Sequence, residues 1–251
     1  MTQFANTFAE RSDEYVQARP RYPRAFYDWM LQNVYTKEQV WDCATGNGQA
    51  AVDLAKYFSV VQATDISSEQ VSQGLEAPNI VYSAQPAEKT IFKEKQFDLI
   101  TVAQALHWFD YSKFWTEVKR VAKPDAFFCA WGYAWFDCDK EIFEQFVMPL
   151  REIVSPYWAA NNKILWDGYA SHDVSFPFKK IEAPEFSIEE KWSINQLIGY
   201  LQTWSSYKRA LQDEAKCSEL TNLISSAKKR FSQYQLINID MPIAVVAGRI
   251  L

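Results

Sequence analysis

A carboxylate and two glycines lie close together in the stretch 40–49, at a spacing that suits the binding of a nucleoside. A β-prone run, Gln39 to Cys43, contains Asp42 and leads into a turn that carries Gly46 and Gly48. Small and apolar residues then recur at helical spacing. A strand, a glycine turn and a helix in this order form the nucleotide pocket of a doubly wound sheet, because glycine lets a ligand approach the backbone closely. The stretch predicts such a pocket, with a ligand-free βα turn as the alternative.

A second carboxylate follows where a ribose-binding residue is expected. The run 59–64 predicts the second strand, and Asp65 ends it, placed to accept hydrogen bonds from ribose hydroxyls. Gly46, Gly48 and Ala51 also satisfy the dinucleotide pattern G-x-G-x-x-[GA]. Asp42 separates the possible ligands, because a carboxylate on the first strand would repel a pyrophosphate and attract a cation. The sequence therefore favours S-adenosylmethionine, which carries an ammonium, a sulfonium and no phosphate, over NAD.

The pattern Asp42-x-Ala44-x-Gly46-x-Gly48 resembles motif I of the class I S-adenosylmethionine-dependent methyltransferases, with alanine where the first glycine usually stands. Later segments resemble further motifs of this family: Ala87-Glu88, Phe97-Asp98-Leu99-Ile100 and Lys123-Pro124-Asp125-Ala126. Two more segments, 103–110 and Tyr15-x-x-x-Arg19-Pro20-x-Tyr22-Pro23, are similar to the trans-aconitate methyltransferase-like branch, methyltransferase type 11. The resemblance covers nearly the whole chain.

The resemblance implies a set of cofactor-binding residues at the carboxyl ends of the strands, where an open α/β sheet binds its ligand. The set comprises Asp42, Ala44, Gly46, Gly48, Asp65, Ala87, Glu88 and Gln104. Asp42 and the glycines are expected beside the methionine end, and Gln104 is expected to face the methionyl group. Ala87 and Glu88 are expected beside the adenine. A helix-start role for Glu88 and a turn role for Gln104 are the alternatives.

His107 and Trp108, just past the predicted fourth strand, are the candidate catalytic residues. As a general base, His107 would suit a hydroxyl, amine or carbon acid, whose proton must leave. A carboxylic acid is already ionised at neutral pH and needs no base, so His107 would then orient the acceptor. Trp108 could stabilise the sulfonium through a cation–π contact, or it could pack in the core.

Residues 1–30 precede the first strand and are predicted to form a lid of two helices, interrupted by prolines. The candidate substrate residues lie near this break: Tyr15, Arg19, Arg21 and Tyr22. The arginines could bind an acid through bidentate hydrogen bonds. The alternatives are a packed helix pair and arginines that serve only as surface charges.

From 39 to 133, predicted strands and helices alternate in the βαβ order of a parallel sheet. The strands are expected near 39–43, 59–64, 79–83, 97–103 and 126–132, and the helices near 48–57, 67–74 and 111–122. Further helices are expected at 140–154, 194–213 and 216–233, with a strand region near 178–192 and a final strand around 243–247.

These elements predict an α/β fold: a Rossmann-like, doubly wound, seven-stranded and mostly parallel sheet with a helical cap. The resemblance implies that the last strand is antiparallel. The chain is then one domain over 1–251, with a core at 39–133 and 235–251 and an inserted cap and substrate region at 134–233.

The chain has 251 residues, of which 48% are hydrophobic and 23% charged, as expected of a globular protein. Its net charge of −5 argues against a nucleic-acid surface. Four cysteines and two histidines lack the spacing of a metal site, so no metal is expected. No apolar run approaches about 18 residues and no signal peptide is evident, which indicates a cytoplasmic protein without membrane contact.

Together these features predict a methyltransferase that uses S-adenosylmethionine, releases S-adenosylhomocysteine and acts on a small molecule as a monomer or weak homodimer. Carboxyl O-methylation of a small organic acid is the leading hypothesis, since the resembled branch methylates an acid. A hydroxyl or carbon acceptor, with His107 as base, is the main alternative. An NAD-dependent oxidoreductase and a non-catalytic adenosyl-binding module are the others.

Overall fold

The structure is a computed structural model, and it describes residues 19–170 and 174–250. The strands in these ranges are β1 (Gln39–Cys43), β2 (Val60–Asp65), β3 (Ile80–Ala84), β4 (Phe97–Ala103), β5 (Ala122–Tyr133), β6 (Asp137–Cys138), β7 (Lys179–Lys180), β8 (Ser187–Trp192) and β9 (Ile237–Arg249). The α-helices are α1 (Arg24–Gln32), α2 (Gln49–Leu54), α3 (Ser68–Ser72), α4 (Tyr111–Val121), α5 (Lys140–Ile142), α6 (Met148–Val154), α7 (Asn162–Trp166), α8 (Ile194–Gln202), α9 (Ser205–Ala210) and α10 (Glu214–Arg230).

The chain divides into two units. The core unit comprises the described residues of 23–134, 163–186 and 243–251. The cap unit comprises the described residues of 1–22, 135–162 and 187–242. β9 contributes its first half to the cap unit and its second half to the core unit.

The strands of the core unit follow the order β3-β2-β1-β4-β5-β9, and β7 also pairs with β9. With β6 and β8, which pair with the first half of β9, the described residues form a nine-stranded sheet, whereas seven strands were predicted. The first five strands in this order are parallel to one another, and β9 pairs antiparallel with β5. The predicted mostly parallel sheet with an antiparallel last strand is therefore confirmed. The register places Asp42 between Ala63 on β2 and Thr101 on β4, so the carboxylate lies in the middle of the sheet.

The central strands are buried, as parallel strands covered by helices must be. Every residue of β4 except the last is buried, and so are the last four of β1. Trp41, Ile100 and Phe128 are fully buried in the cluster at the centre of this unit. Burying each such side chain contributes about 1.5–3 kcal/mol, so the sheet forms a stable platform for the loops at its carboxyl edge.

Two elements differ from the predicted bounds for reasons that involve distant residues. β5 begins at Ala122 instead of 126, because Ala122 pairs with Phe97 across an irregularity in the β4–β5 ladder. The helix predicted over 194–213 is two helices, α8 and α9, since Trp204 between them takes an extended backbone conformation. Its indole is buried, with 4% of the residue exposed. We attribute the break between α8 and α9 to the burial of this side chain.

Ala44 takes the left-handed backbone conformation, with φ 54°. This geometry costs an L-residue about 1–2 kcal/mol and explains why a glycine is usual at this point of the motif. We expect Ala44→Gly to raise the free energy of unfolding by about 1 kcal/mol, after the entropy that glycine loses on folding is subtracted. Urea unfolding measures this change. Ala51→Gly, inside α2, is the matched control and should instead lower the stability by about 0.5–1 kcal/mol; a loss of stability in Ala44→Gly would contradict the account of this turn.

In the cap unit, the first half of β9 pairs antiparallel with β8 and with the short β6. The predicted helix over 140–154 is present, but its middle turn, Phe143–Val147, is a π-helix between α5 and α6. Pro149 follows in the first turn of α6. A proline has no N–H and its ring clashes with the carbonyl four residues earlier, and the wider π turn accommodates both effects.

The predicted N-terminal helix pair is described only in its second half. The second helix is α1, which buries Phe26 and Met30. The first helix and Tyr15 lie outside the described residues. Within the described ranges, none of the helices combines the length and the apolar character needed to span a bilayer.

Candidate functional site

Asp42, near the end of β1, is fully buried and held by two hydroxyl donors. Thr45 donates to its Oδ2 at 2.5 Å, and Thr101, its neighbour on β4, donates to its Oδ1 at 2.8 Å. Burial raises the pKa of the carboxyl to about 6, although both hydrogen bonds act in the other direction. A buried carboxylate without a cationic partner among these contacts is suited to meet the charge of a cationic ligand.

The turn after β1 is held by Asp65 from the end of β2. Its Oδ2 accepts the backbone N–H of Gly46 at 2.9 Å, and its Oδ1 accepts that of Ser67 at 2.9 Å. The backbone N–H of Thr45 also bonds to the carbonyl of Thr64. Asp65 therefore shapes the glycine turn as well as being a candidate for the ribose. Each carboxylate oxygen retains a further acceptor site for a hydroxyl.

The glycines of this turn differ in what lies next to them. Among the described residues, a Cβ added to Gly46 would meet only the Gln70 side chain, at 3.8 Å, so this part of the chain leaves the backbone there open to a ligand. A Cβ on Gly48 would come within 1.9 Å of the Tyr82 hydroxyl. A ligand was expected to approach the backbone closely at this turn, but at Gly48 the group that does so is the side chain of Tyr82. The phenol of Tyr82 donates to the carbonyl of Leu75 at 2.8 Å, and burial raises its pKa to about 12.

Gly48→Ala is expected to lower the free energy of unfolding by about 2–4 kcal/mol, because the added methyl overlaps Tyr82 and the backbone is left-handed. Chemical denaturation measures the loss. Gly199→Ala in α8 is the matched control: no atom of the described ranges lies within 4 Å of its added Cβ, and its free energy of unfolding should rise by about 0.5–1 kcal/mol. A Gly48→Ala variant as stable as the wild type would contradict the packing of Tyr82 on this turn.

The residues expected beside the adenine lie in the same region of the core unit. Ala87 is buried, and the carboxylate of Glu88 accepts the backbone N–H of Asp110, the residue before α4, at 3.1 Å. The pKa of the buried Cys43 thiol is raised by burial and then by the charges of Asp42, Asp65 and Glu88. All three carboxylates are therefore within electrostatic range of one atom at the end of β1.

Gln104 takes a left-handed conformation, φ 59°, directly after β4. Its backbone N–H donates to the carbonyl of Trp131, and its side-chain amide donates to that of Tyr133 at 3.3 Å. Its Oε1 would lie 3.1 Å from a Cβ added to Gly132. A non-glycine residue held in this conformation by its surroundings is typical of a functional position.

His107 is buried in the 3-10 turn Leu106–Trp108, and its Nδ1 lies 3.0 Å from the hydroxyl of Tyr169. Tyr169 is fully buried, and burial raises the pKa of its phenol well above the usual range, so the O–H keeps its proton. We assign this O–H as the donor and Nδ1 as the acceptor; the opposite direction, from Nδ1–H to the phenol oxygen, would leave the lone pair on Nε2. The imidazole proton is therefore assigned to Nε2.

Burial also lowers the pKa of His107 to about 4. The imidazole is consequently neutral through the physiological range, and in the tautomer assigned above its Nε2 is a hydrogen-bond donor. Trp108 is partly exposed, and its ring lies 4.9 Å from that of His107 at a tilt of 44°. The two candidate catalytic residues thus form one aromatic pair beside Tyr169.

Of the candidate substrate residues, Arg19, Arg21 and Tyr22 lie in the cap unit, whereas the candidate cofactor and catalytic residues lie in the core unit. The guanidinium of Arg19 lies 5.8 Å from the ring centre of Tyr200. Arg21 is exposed and Tyr22 is partly exposed. The structure does not describe Tyr15.

Sequence reasoning missed Thr45, Thr101, Tyr82 and Tyr169, which all contact candidate residues. Thr45 lies inside the motif and could have been chosen as a partner of Asp42. Thr101 and Tyr82 become visible only when the strand register is known. No local pattern marks Tyr169.

These residues fit S-adenosylmethionine. The open backbone at Gly46 adjoins Asp65, which has acceptor capacity for a ribose, and the buried Asp42 can oppose positive charge. Among the described residues, no group of three or more histidine, cysteine or acidic side chains is arranged to hold a metal ion.

Known methyltransferases resemble this chain in sequence and structure. The methyltransferase domain family matches residues 41–130. A Dictyostelium discoideum protein named as a methyltransferase is 29% identical, over 99% of this chain and 96% of its own. A Saccharomyces cerevisiae protein named as an S-adenosylmethionine-dependent methyltransferase is 19% identical, over 92% of this chain and 91% of its own.

A solved structure supports the same assignment. A protein of Anaeromyxobacter dehalogenans, named as a type II methyltransferase, is 34% identical with a TM-score of 0.80, and the match covers 93% of this chain and 98% of that one. The likeness thus extends over both units and well beyond the cofactor motif. The chain belongs to the class I S-adenosylmethionine-dependent methyltransferases, and S-adenosylmethionine is its methyl donor.

Proposed function

We propose that this methyltransferase acts on a small molecule and transfers the methyl group to a carboxylate oxygen of an organic acid. The hydrogen bond between Tyr169 and Nδ1 of His107 carries the proposal. A general base needs a free lone pair on the imidazole, and in the assigned tautomer Tyr169 occupies the one on Nδ1 while Nε2 holds the proton. This arrangement favours His107 as a donor that orients an acceptor oxygen.

A carboxylate is an acceptor that matches such a donor. Its pKa is near 4, so it is ionised at neutral pH and loses no proton during methylation. S-adenosylmethionine supplies an activated methyl group on a sulfonium. The side chains then have to align the acceptor, exclude water and stabilise charge. A neutral His107, with a pKa of about 4, can hold a carboxylate oxygen across the physiological pH range.

The cofactor-binding roles are part of the same proposal. Asp42 opposes the positive charge at the methionine end, with Ala44, Gly46 and Gly48 shaping the turn beside it. The ribose hydroxyls bind to Asp65, and the adenine binds beside Ala87 and Glu88. Gln104 faces the methionyl group, and Trp108 offers its ring face to the sulfonium. The buried carboxylate of Asp42 and the partly exposed carboxylate of Asp65, both near the carboxyl ends of neighbouring strands, support these roles.

The assignment of the substrate-binding residues remains a prediction from the sequence. Tyr15, Arg19, Arg21 and Tyr22 are proposed to contribute to acid binding, and residues 1–30 to act as a lid. The enzyme is proposed to act as a monomer or weak homodimer. Because the chain belongs to the methyltransferase family, a methyltransferase is favoured over an oxidoreductase and over a non-catalytic adenosyl-binding module.

A methyl-transfer screen tests the proposal. The enzyme is incubated with S-adenosylmethionine labelled in its methyl group and with phenylacetate, trans-aconitate, phenol or benzylamine. Label is expected in the acids and not in phenol or benzylamine. Transfer to phenol or benzylamine alone would favour the hydroxyl, amine or carbon acceptor, with a proton-removing residue still to be identified.

A further inference from the structure

Asp42 is buried too deeply to touch a ligand itself. The residue is 0% exposed, and its two carboxylate oxygens accept the hydroxyl protons of Thr45 and Thr101. A ligand cation can be attracted by the charge of Asp42, but its direct contact has to be made by another group at the surface of the site. The two threonines that bind the carboxylate are the candidates for that group.

Thr45 and Thr101 differ in their access to a ligand. Thr101 lies within β4 and is 0% exposed. Thr45 lies in the turn after β1 and is partly exposed. It directly precedes Gly46, where the described part of the chain leaves the backbone open. Of the two hydroxyls that bind Asp42, that of Thr45 is therefore the one that a ligand can reach.

Towards a ligand, the hydroxyl of Thr45 is an acceptor. A hydroxyl has one proton and two acceptor lone pairs, and the proton of Thr45 is donated to Oδ2 of Asp42 at 2.5 Å. Within residues 19–170 and 174–250, no donor forms a hydrogen bond to this hydroxyl oxygen. Donation to a carboxylate also makes the oxygen a better acceptor, because successive hydrogen bonds polarise one another. Such an oxygen suits a ligand group that combines N–H donors with a positive charge.

The position of Thr45 is fixed by its backbone as well as by its side chain. Its N–H donates to the carbonyl of Thr64 at 2.9 Å, and its carbonyl accepts the N–H of Gly48 at 3.0 Å. The hydrogen bond to Asp42 holds the side chain. The oxygen is thereby in place before a ligand arrives, which lowers the entropic cost of binding.

The two positive groups of S-adenosylmethionine differ in what they offer to this oxygen. The sulfonium has no hydrogen-bond donor, whereas an ammonium has three N–H donors. The ammonium is therefore the group of the cofactor that matches Thr45.

We propose that Thr45 binds the ammonium of S-adenosylmethionine directly, and that Asp42 acts on the ammonium through the hydroxyl of Thr45. The hydrogen bonds run from the ammonium to Oγ1 of Thr45, and from the O–H of Thr45 to Asp42. This inference rests on the proposed role of Asp42 at the methionine end of the cofactor and names the residue that makes the contact. Thr45 is thereby a cofactor-binding residue in addition to the carboxylates and glycines of the site.

Calorimetric titration of the full-length protein with two ligands tests the inference. The ligands are S-adenosylhomocysteine and its desamino analogue, in which a hydrogen replaces the amino group. At pH 8 the wild-type Asp42 is ionised, since its pKa is about 6. The wild type should prefer S-adenosylhomocysteine about 10- to 100-fold, as expected for hydrogen bonds to a charged group.

Thr45→Val replaces the hydroxyl with a methyl group of similar size and should lose most of this preference. It should bind the desamino analogue almost as well as the wild type does, which shows that the variant is folded. Thr45→Ser keeps the hydroxyl and should restore most of the preference. A Thr45→Val variant that retains the preference of the wild type would overturn the inference.

Two further valine variants serve as controls. Thr101→Val removes the other hydroxyl that binds Asp42, but at a buried position, and it should lose less of the preference than Thr45→Val. Thr116→Val removes a hydroxyl that donates to the carbonyl of Ser112 on α4, and it should bind both ligands as the wild type does. Equal losses in Thr45→Val and Thr101→Val would mean that Thr45 acts only by holding Asp42, and would overturn the direct contact.

Asp42→Asn distinguishes a failure of this inference from a failure of the proposed role of Asp42. If Asp42→Asn loses the preference for S-adenosylhomocysteine while Thr45→Val keeps it, the contact with Thr45 is refuted and the role of Asp42 stands. Equal binding of the two ligands by the wild type would overturn both.

Discussion

Replacing Asp42 with asparagine is expected to make the protein more stable and at the same time to weaken its binding of S-adenosylhomocysteine. The pKa of the buried carboxyl rises to about 6 from its ordinary 3.8, so the folded state holds the proton more tightly than the unfolded state. The wild type therefore loses stability as the pH rises from about 4 to about 6, by about 2–3 kcal/mol. An asparagine at this position avoids that loss.

The loss of affinity follows from the charge. The ammonium of S-adenosylhomocysteine would face an amide instead of a carboxylate, and losing a charge-assisted hydrogen bond in a buried site should weaken binding about 10- to 100-fold. Urea unfolding at pH 5 and pH 8 and calorimetric titration measure the two effects. The stability gain of Asp42→Asn should be larger at pH 8 than at pH 5.

Asp98→Asn is a matched control in the same sheet. Asp98 accepts the backbone N–H of Gln39 and pairs with Lys123, and although burial opposes the shift, these contacts lower the pKa of its carboxyl. Its contribution to stability is present at neutral pH and is lost as the pH falls. Asp98→Asn should therefore destabilise the protein at neutral pH and leave the affinity for S-adenosylhomocysteine unchanged. Unchanged affinity in Asp42→Asn would refute the cofactor site.

The second large effect is expected at His107. For a carboxylate acceptor, His107→Gln should raise KM for the acid about 10- to 100-fold, while kcat changes only a few-fold, because a binding hydrogen bond is lost and no proton transfer is. The kcat of the wild type should be flat between pH 5.5 and 8, since the imidazole is already neutral above about pH 4. A general base would instead give a drop in turnover of about 10²- to 10⁴-fold.

Tyr169→Phe further distinguishes a role of His107 as a hydrogen-bond donor from a role as a general base. It removes the O–H that occupies Nδ1 of His107, so the imidazole can move its proton from Nε2 to Nδ1 and present a lone pair instead of a donor. We expect a higher KM for the acid. A Tyr234→Phe variant, which loses a hydrogen bond to Glu141, is the control and should retain wild-type kinetics. An increase in kcat on Tyr169→Phe would instead point to a catalytic base.

Much of the core could be predicted because its signals are local. The strands over 39–43 and 97–103 agree with β1 and β4, since a short β-prone run ends at a turn in each case. The start of β5 could not be predicted, because residues 122–125 become a strand through pairing with residues near Phe97. The break at Trp204 has the same kind of cause, the burial of one indole among others distant in the sequence.

The candidate site is also only partly predictable from the sequence, because some of its contacts join residues that are distant in the chain. The motif predicts Asp42 and the glycine turn, but not that Tyr82 packs on Gly48, because that contact depends on the register of β3. It also does not predict Tyr169, which follows α7 in a loop and yet lies within hydrogen-bond distance of Nδ1 of His107. The residues that bind a common cofactor are marked by a motif, whereas those that select an acceptor are brought together only by the fold.

The most direct test of the proposed reaction is the stability of the labelled product in mild alkali. A methyl ester hydrolyses there and releases its methyl group as volatile methanol, whereas methyl ethers, methylamines and C-methyl products do not. Product formed with methyl-labelled S-adenosylmethionine is treated with base, and the volatile label is counted. Release of nearly all the label is the expected result; label that stays in the non-volatile product would contradict carboxyl methylation.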